Sequence, residues 1–147
     1  MTFTALTGQP EALAISSEQS FLNVGTATGM FGYSFKIMAD GNLDNGQEYV
    51  HYHIPYGSSS PGVVRMIVDR ENILYTSTGM GIQASDQLGR VNFIFSSPAS
   101  GVTDIALGGA DFNKLYALAN GRLFSRKINA KGISPGLTPI KPPKPGL

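Results

Sequence analysis

The stretch that decides the fold is Val63-Val64-Arg65-Met66-Ile67-Val68, then Asp69-Arg70-Glu71-Asn72, then Ile73-Leu74-Tyr75-Thr76-Ser77-Thr78. It lies in the longest part of the chain free of both glycine and proline, and so is the best place for a helix to form. Instead, β-branched and aromatic residues flank a four-residue polar cluster, which reads as two strands around a hairpin turn. A helix over Pro10 to Gly25 is the one rival reading. It fails because Phe21-Leu22-Asn23-Val24 again reads as strand after a polar turn.

The same layout recurs on either side. Glu11-Ala12-Leu13-Ala14-Ile15, a turn and Phe21-Leu22-Asn23-Val24 form one unit. Thr103-Asp104-Ile105-Ala106-Leu107, a turn with Asp111 and Asn113, and Leu115-Tyr116-Ala117-Leu118 form another. Aligned on Leu13, Met66 and Ile105, the units are 53 and 39 positions apart. Further strand-like runs follow within each: Tyr33 to Met38 and Glu48 to His53, Gly81 to Ser85 and Arg90 to Phe95, and Arg122 to Ile128. A repeat of about 40–50 residues built from four short strands predicts the blades of an all-β propeller, with a β-sandwich as the alternative. The first two units supply four strands each and the third supplies three. Another run, Thr2-Phe3-Thr4-Ala5-Leu6, precedes the first unit.

Composition agrees and excludes several roles. Among 147 residues there are 18 glycines and 9 prolines, with 41% hydrophobic and only 14% charged. Typical domains carry roughly 25% charged residues. This chain is too apolar and too weakly charged to be disordered. Its net charge of +1 gives no field to gather nucleic acid or an anionic membrane. Lack of cysteine excludes disulfides, thiolate metal sites and thiol nucleophiles. The stretch from Met1 to Ala14 has neither the basic nor the apolar region of a signal peptide, and no apolar run is long enough to span a membrane. A soluble, cytoplasmic chain is therefore expected. Residues 1–130 read as the propeller part and 131–147 as a proline-rich tail, extended and lying along the surface or loose.

Three runs carry a family resemblance: Met66-Ile67-Val68-Asp69 to Leu74-Tyr75-Thr76-Ser77, Gly81-Ile82-Gln83 to Gly89-Arg90-Val91, and Asp104-Ile105-Ala106-Leu107-Gly108-Gly109-Ala110-Asp111 to Leu115-Tyr116. With the ending Lys141-Pro142-Pro143-Lys144-Pro145-Gly146-Leu147, they resemble the gluconolactonase, regucalcin and luciferin-regenerating-enzyme family. The resemblance implies half of a six-bladed propeller whose channel holds one divalent cation, calcium or zinc, and whose members often hydrolyse sugar lactones. It covers the C-terminal half of a member. Where the family places a metal-binding Asn in a Pro-Asn-Gly-Leu-like element, this chain has Pro10-Glu11-Ala12-Leu13. Where the family places its metal-binding Asp before Gly-Met, this chain has Val64-Arg65-Met66. Glu11 retains an oxygen donor for a hard cation, while Val64 has none. No catalytic residue is therefore assigned.

Three blades leave the flanks of the first and third uncovered, and a second copy of the chain in a two-fold ring would cover both; the alternative is a fragment of a longer lactonase propeller. In that ring Thr2-Phe3-Thr4-Ala5-Leu6 of each copy would complete the last blade of the other. The channel mouth would carry Glu11, Arg65, Thr103 and Asp104, suited to a cation or a small sugar-lactone-like ligand, or to a binding module that has lost the chemistry. His51 and His53, two apart on an expected strand, have metal-pair spacing but no third ligand nearby, so a structural or surface role is expected. Asp69, Asp86 and Asp111 read as turn residues that bond their own backbone. Neither Gly29-Met30-Phe31-Gly32 nor Gly79-Met80-Gly81 has the strand-to-helix setting of a phosphate loop.

Overall fold

A computed structural model describes residues 6, 8–97, 99, 101–137 and 139–145. Among these residues eleven strands form three antiparallel sheets in which each strand pairs with its neighbour in the chain. The first sheet is β1 (Pro10–Ile15), β2 (Phe21–Thr26), β3 (Phe31–Ile37) and β4 (Leu43–His51). The second is β5 (Arg65–Val68), β6 (Leu74–Thr78), β7 (Gly81–Ser85) and β8 (Val91–Phe95). The third is β9 (Val102–Gly108), β10 (Lys114–Ala119) and β11 (Arg122–Lys127). The strand at Pro10–Ile15 disposes of the rival helix. The run expected from Glu48 to His53 is instead Leu43–His51. His53 therefore lies beyond the strand, and the two histidines do not share a strand face. The run Thr2-Phe3-Thr4-Ala5-Leu6 lies outside the described residues except for Leu6. No helix among the described residues is long and apolar enough to cross a membrane.

Five hairpins use one turn. Between β3 and β4 the Met38 carbonyl accepts from the Gly41 amide at 2.9 Å, with Gly41 at φ 81°. Ser16, Asp69, Asp86 and Gly109 open the other four, and each carbonyl accepts from the amide three residues on, at Gln19, Asn72, Gly89 and Phe112 (2.8–3.1 Å). Each of those four residues has a left-handed φ, between 53° and 75°. A type I turn followed by one left-handed residue matches the twist of an antiparallel pair. Asp69 and Asp86 fasten theirs further. The Asp69 carboxylate accepts from the amides of Glu71 and Ile73, both at 2.9 Å. Asp86 does the same for Leu88 (2.9 Å) and Arg90 (3.1 Å). The third repeat departs from this: Gly109 opens its turn, and Asp111 is exposed within it.

The sheets stack face to face, β1 against β5 and β5 against β9. Between the first two lie Ala12, Ala14, Val63, Met66 and Leu74; between the last two lie Tyr75, Ile82, Ala84, Ile105 and Leu115. Such a stack of meander sheets, with their first strands adjacent, is a β-propeller-like fold.

The proline-rich tail is anchored. Gly132 bridges to Asp69, and the Arg70 amide donates to the Lys131 carbonyl at 2.9 Å. Farther on, the Ile140 amide donates to the Ser17 carbonyl at 2.9 Å, and Ser17 Oγ donates back to the Ile140 carbonyl at 3.1 Å. Gln87 then holds the Pro143 carbonyl at 2.8 Å. The tail thus runs from the third sheet past the β5–β6 turn of the second to the first, and then turns back to the β7–β8 turn of the second.

Candidate functional site

The first strands of the sheets begin close together, and hydrogen bonds show how. The Ala27 amide donates to the Gln9 carbonyl (2.8 Å), and the Ala27 carbonyl accepts from Gly62 (3.2 Å), tying the start of β1 to the approach to β5. From β5 to β9 the tie is a side-chain one. Arg65 Nε meets Asp104 Oδ1 at 3.1 Å, with about half of each side chain exposed (55% and 52%). Both partners are held from behind. The Arg65 amide donates to Oγ of the fully buried Ser77 at 2.9 Å. The same Asp104 oxygen accepts from the Ile105 amide at 2.8 Å.

Of the four residues expected at this end, the fold pairs Arg65 with Asp104. Glu11 is exposed and accepts from Gln9 Nε2 at 3.4 Å. Thr103 is exposed and donates to the Leu118 carbonyl at 3.4 Å. Val64 is 42% exposed beside them. A half-exposed ion pair contributes little stability, about 0–1 kcal/mol, so this one matters for where it places charge.

The donor set among the described residues does not fit a divalent cation. Calcium takes 6–8 oxygens, yet no three histidine, aspartate or glutamate side chains converge among the described residues. The Asp104 carboxylate is already matched by Arg65. His51 stacks on Phe31 with ring centroids 5.0 Å apart, and His53 bonds through its backbone to Gln83. His51 thus belongs to an aromatic stack, and His53 is fixed through its backbone.

Sequence reasoning missed two features. Gln83 is fully buried, and its amide holds both the NH and the C=O of His53, at 2.9 and 2.7 Å. A lone Gln in a strand of small residues was the available signal. The other is a cleft between β8 and β11, with cavities of about 380 and 520 Å³. It lies away from the Arg65–Asp104 rim.

The fold places the chain among β-propeller-like proteins. More particularly, it is similar to solved structures of a gluconolactonase from Xanthomonas campestris (22% identity, TM-score 0.67, 83% of this chain and 38% of that one) and of regucalcin, a calcium-binding protein from Agrobacterium tumefaciens (16%, 0.72, 91% and 48%). It is likewise similar to a luciferin-regenerating enzyme (15%, 0.69, 91% and 48%). The chain therefore spans less than half the length of each of these. No protein-family profile and no curated protein matches the sequence. At these identities the likeness is one of fold, and it meets the expectation drawn from the sequence.

Proposed function

We propose that the chain is a ring-forming propeller module. Two copies of three sheets each surround a channel, whose mouth, with Glu11, Arg65, Thr103 and Asp104 from each copy, binds a small sugar-lactone-like ligand. One observation carries this reading. Met66 and Ile105 occupy equivalent places in their repeats; each packs against the preceding sheet and is 2% exposed. Leu13, at the equivalent place in the first repeat, is 62% exposed. Ile15 (52% exposed) and Leu22 extend that uncovered face. On the far flank of the third sheet, Leu118 and Leu123 are 44% and 67% exposed beside Tyr116 and Ala106. Two such faces on one molecule are complementary in a two-fold pair, each covering the partner's other one.

Binding without efficient hydrolysis fits this mouth better than lactonase chemistry. Val64 supplies neither a metal ligand nor a base, and Arg65 already matches the Asp104 carboxylate. Light scattering on a size-exclusion column is expected to give twice 15.6 kDa. A stable monomer at micromolar concentration sinks the ring. Incubation with glucono-lactone, with and without zinc or calcium, is expected to show no turnover above background. Turnover abolished by a chelator would restore the enzyme reading. Calorimetry with calcium is the check on the paired Glu11 carboxylates: binding that survives Glu11→Gln would remove them as donors.

A further inference from the structure

The third sheet is one strand short, and the shortage has a shape. Among the described residues β11 pairs only with β10, so its other edge is open, whereas the first two sheets continue to β4 and β8. Facing that edge, β8 exposes Phe93 (68%), and Phe95 stacks under the Arg126 guanidinium at 5.5 Å. The cavities of about 380 and 520 Å³ both border Phe95 and Arg126, and Phe124, Ile82 and Tyr75 add apolar walls. A groove with an unpaired backbone edge and an aromatic floor is built to receive an extended strand.

We propose that residues 2–6 of a second copy fill this groove as the fourth strand of the third sheet. The inference rests on the two-copy ring proposed above. Three observations choose this occupant. First, the chain after β11 is committed elsewhere: Lys131 and Gly132 bond to the turns at Asp69–Arg70 and at Phe112, and Ile140 to the first sheet, so it does not double back along β11. Second, Thr2-Phe3-Thr4-Ala5-Leu6 alternates in the manner of a strand, has no charged side chain, and matches the five residues of β8 in length. Third, the chain enters the fold at the first sheet, where Gln9 bonds to Ala27 and Thr28, and the second sheet separates that point from the third. In the ring, the third sheet beside that entry belongs to the partner. With Phe3 and Ala5 turned toward Phe95 and Phe124, Thr4 shares a face with Leu123, Ser125 and Lys127.

The absence of cysteine makes the test direct. Thr4→Cys is combined in turn with Leu123→Cys, Ser125→Cys and Lys127→Cys in the full chain, and each double variant is mildly oxidised. At one of the three registers a covalent dimer is expected, seen on a non-reducing gel and abolished by reductant, with neither single variant giving the same yield. A crosslink within one copy overturns the exchange. So does a chain that light scattering shows to be dimeric but that crosslinks at no register; the ring then survives without the donated strand. A monomer in light scattering overturns both. Phe3→Asp supplies a second readout: it is expected to raise the dimer dissociation constant at least tenfold, and an unchanged constant counts against the strand.

Discussion

The two seams between sheets differ in a way that residue size does not predict. The first is built from small groups on large ones: Ala12, Ala14 and Gly25 against Val63, Met66 and Leu74. The second sets large groups on large ones, Tyr75, Ile82 and Phe95 against Ile105, Leu115 and Phe124. The larger residues nevertheless border the larger cavities. The cause is strand count. Four strands meet four in the first seam, which closes out to β4 and β8; four meet three in the second, which closes only near β5 and β9. In a stacked-sheet fold, then, a seam is sealed by pairing partners at the rim as much as by bulk at the centre.

Truncation should separate the seams most. Met66→Ala, at the centre of the first seam, is expected to cost about 2–5 kcal/mol, since a full cavity opens there. Leu115→Ala borders an existing cavity and is expected at the low end of that range, as read by urea unfolding. Equal losses would remove the distinction. Overfilling comes next. A Cβ on Gly25 would lie 2.5 Å from Met66 Sδ and 2.7 Å from Val63 Cγ1, so Gly25→Val is expected to cost about 1–3 kcal/mol. Ser125, by contrast, is exposed on β11, and Ser125→Val should be nearly neutral.

Two smaller effects compare the acidic turns on either side of β6 and β7. Burial raises the Asp69 carboxyl, and the Tyr75 hydroxyl, donating at 3.1 Å, works against that rise. Tyr75→Phe is expected to cost about 1–2 kcal/mol near neutral pH. The hydroxyl stabilises the ionised form, so the loss should shrink as pH falls and Asp69 protonates. At Asp86, burial also pushes upward, but bonds from Arg90, Asn92 and Leu88 outweigh it and the carboxyl lies below its ordinary value. A lowered folded value gives stability above the unfolded pKa that is lost as pH falls through the folded one. Asp86→Asn is therefore expected to cost under about 1 kcal/mol at neutral pH, with the difference vanishing in strong acid. A difference that persisted there, measured by thermal melts across pH, would assign the effect to shape instead of charge.

Much of the fold was legible because its signals are local. β-branched runs, polar turns and the Asp residues that open two of them are short-range chemistry, and they marked the hairpins and the short third sheet. The Leu13, Met66 and Ile105 alignment was legible too, including the neighbour that Leu13 lacks. What was not legible is what distance in the chain conceals. Arg65 and Asp104 were placed at one mouth, but their ion pair depends on how β5 meets β9. Gln83 reads as an ordinary polar residue until His53 arrives from thirty positions away. The strand β4 begins before the expected Glu48 because Asp44 to Gln47 is polar and exposed, and pairing with β3, not burial, makes it a strand.

The returning tail has a consequence in time. The bonds between Ser17 and Ile140 span 123 positions, and none exists until residue 140 has been synthesised. Hairpins close early because each joins neighbours, whereas this link closes nearly the whole chain into one loop. The first sheet to be made is therefore the last to be fastened. Until then it carries both an uncovered flank and an untied turn, which makes the interval before the tail docks the period of greatest exposure to aggregation.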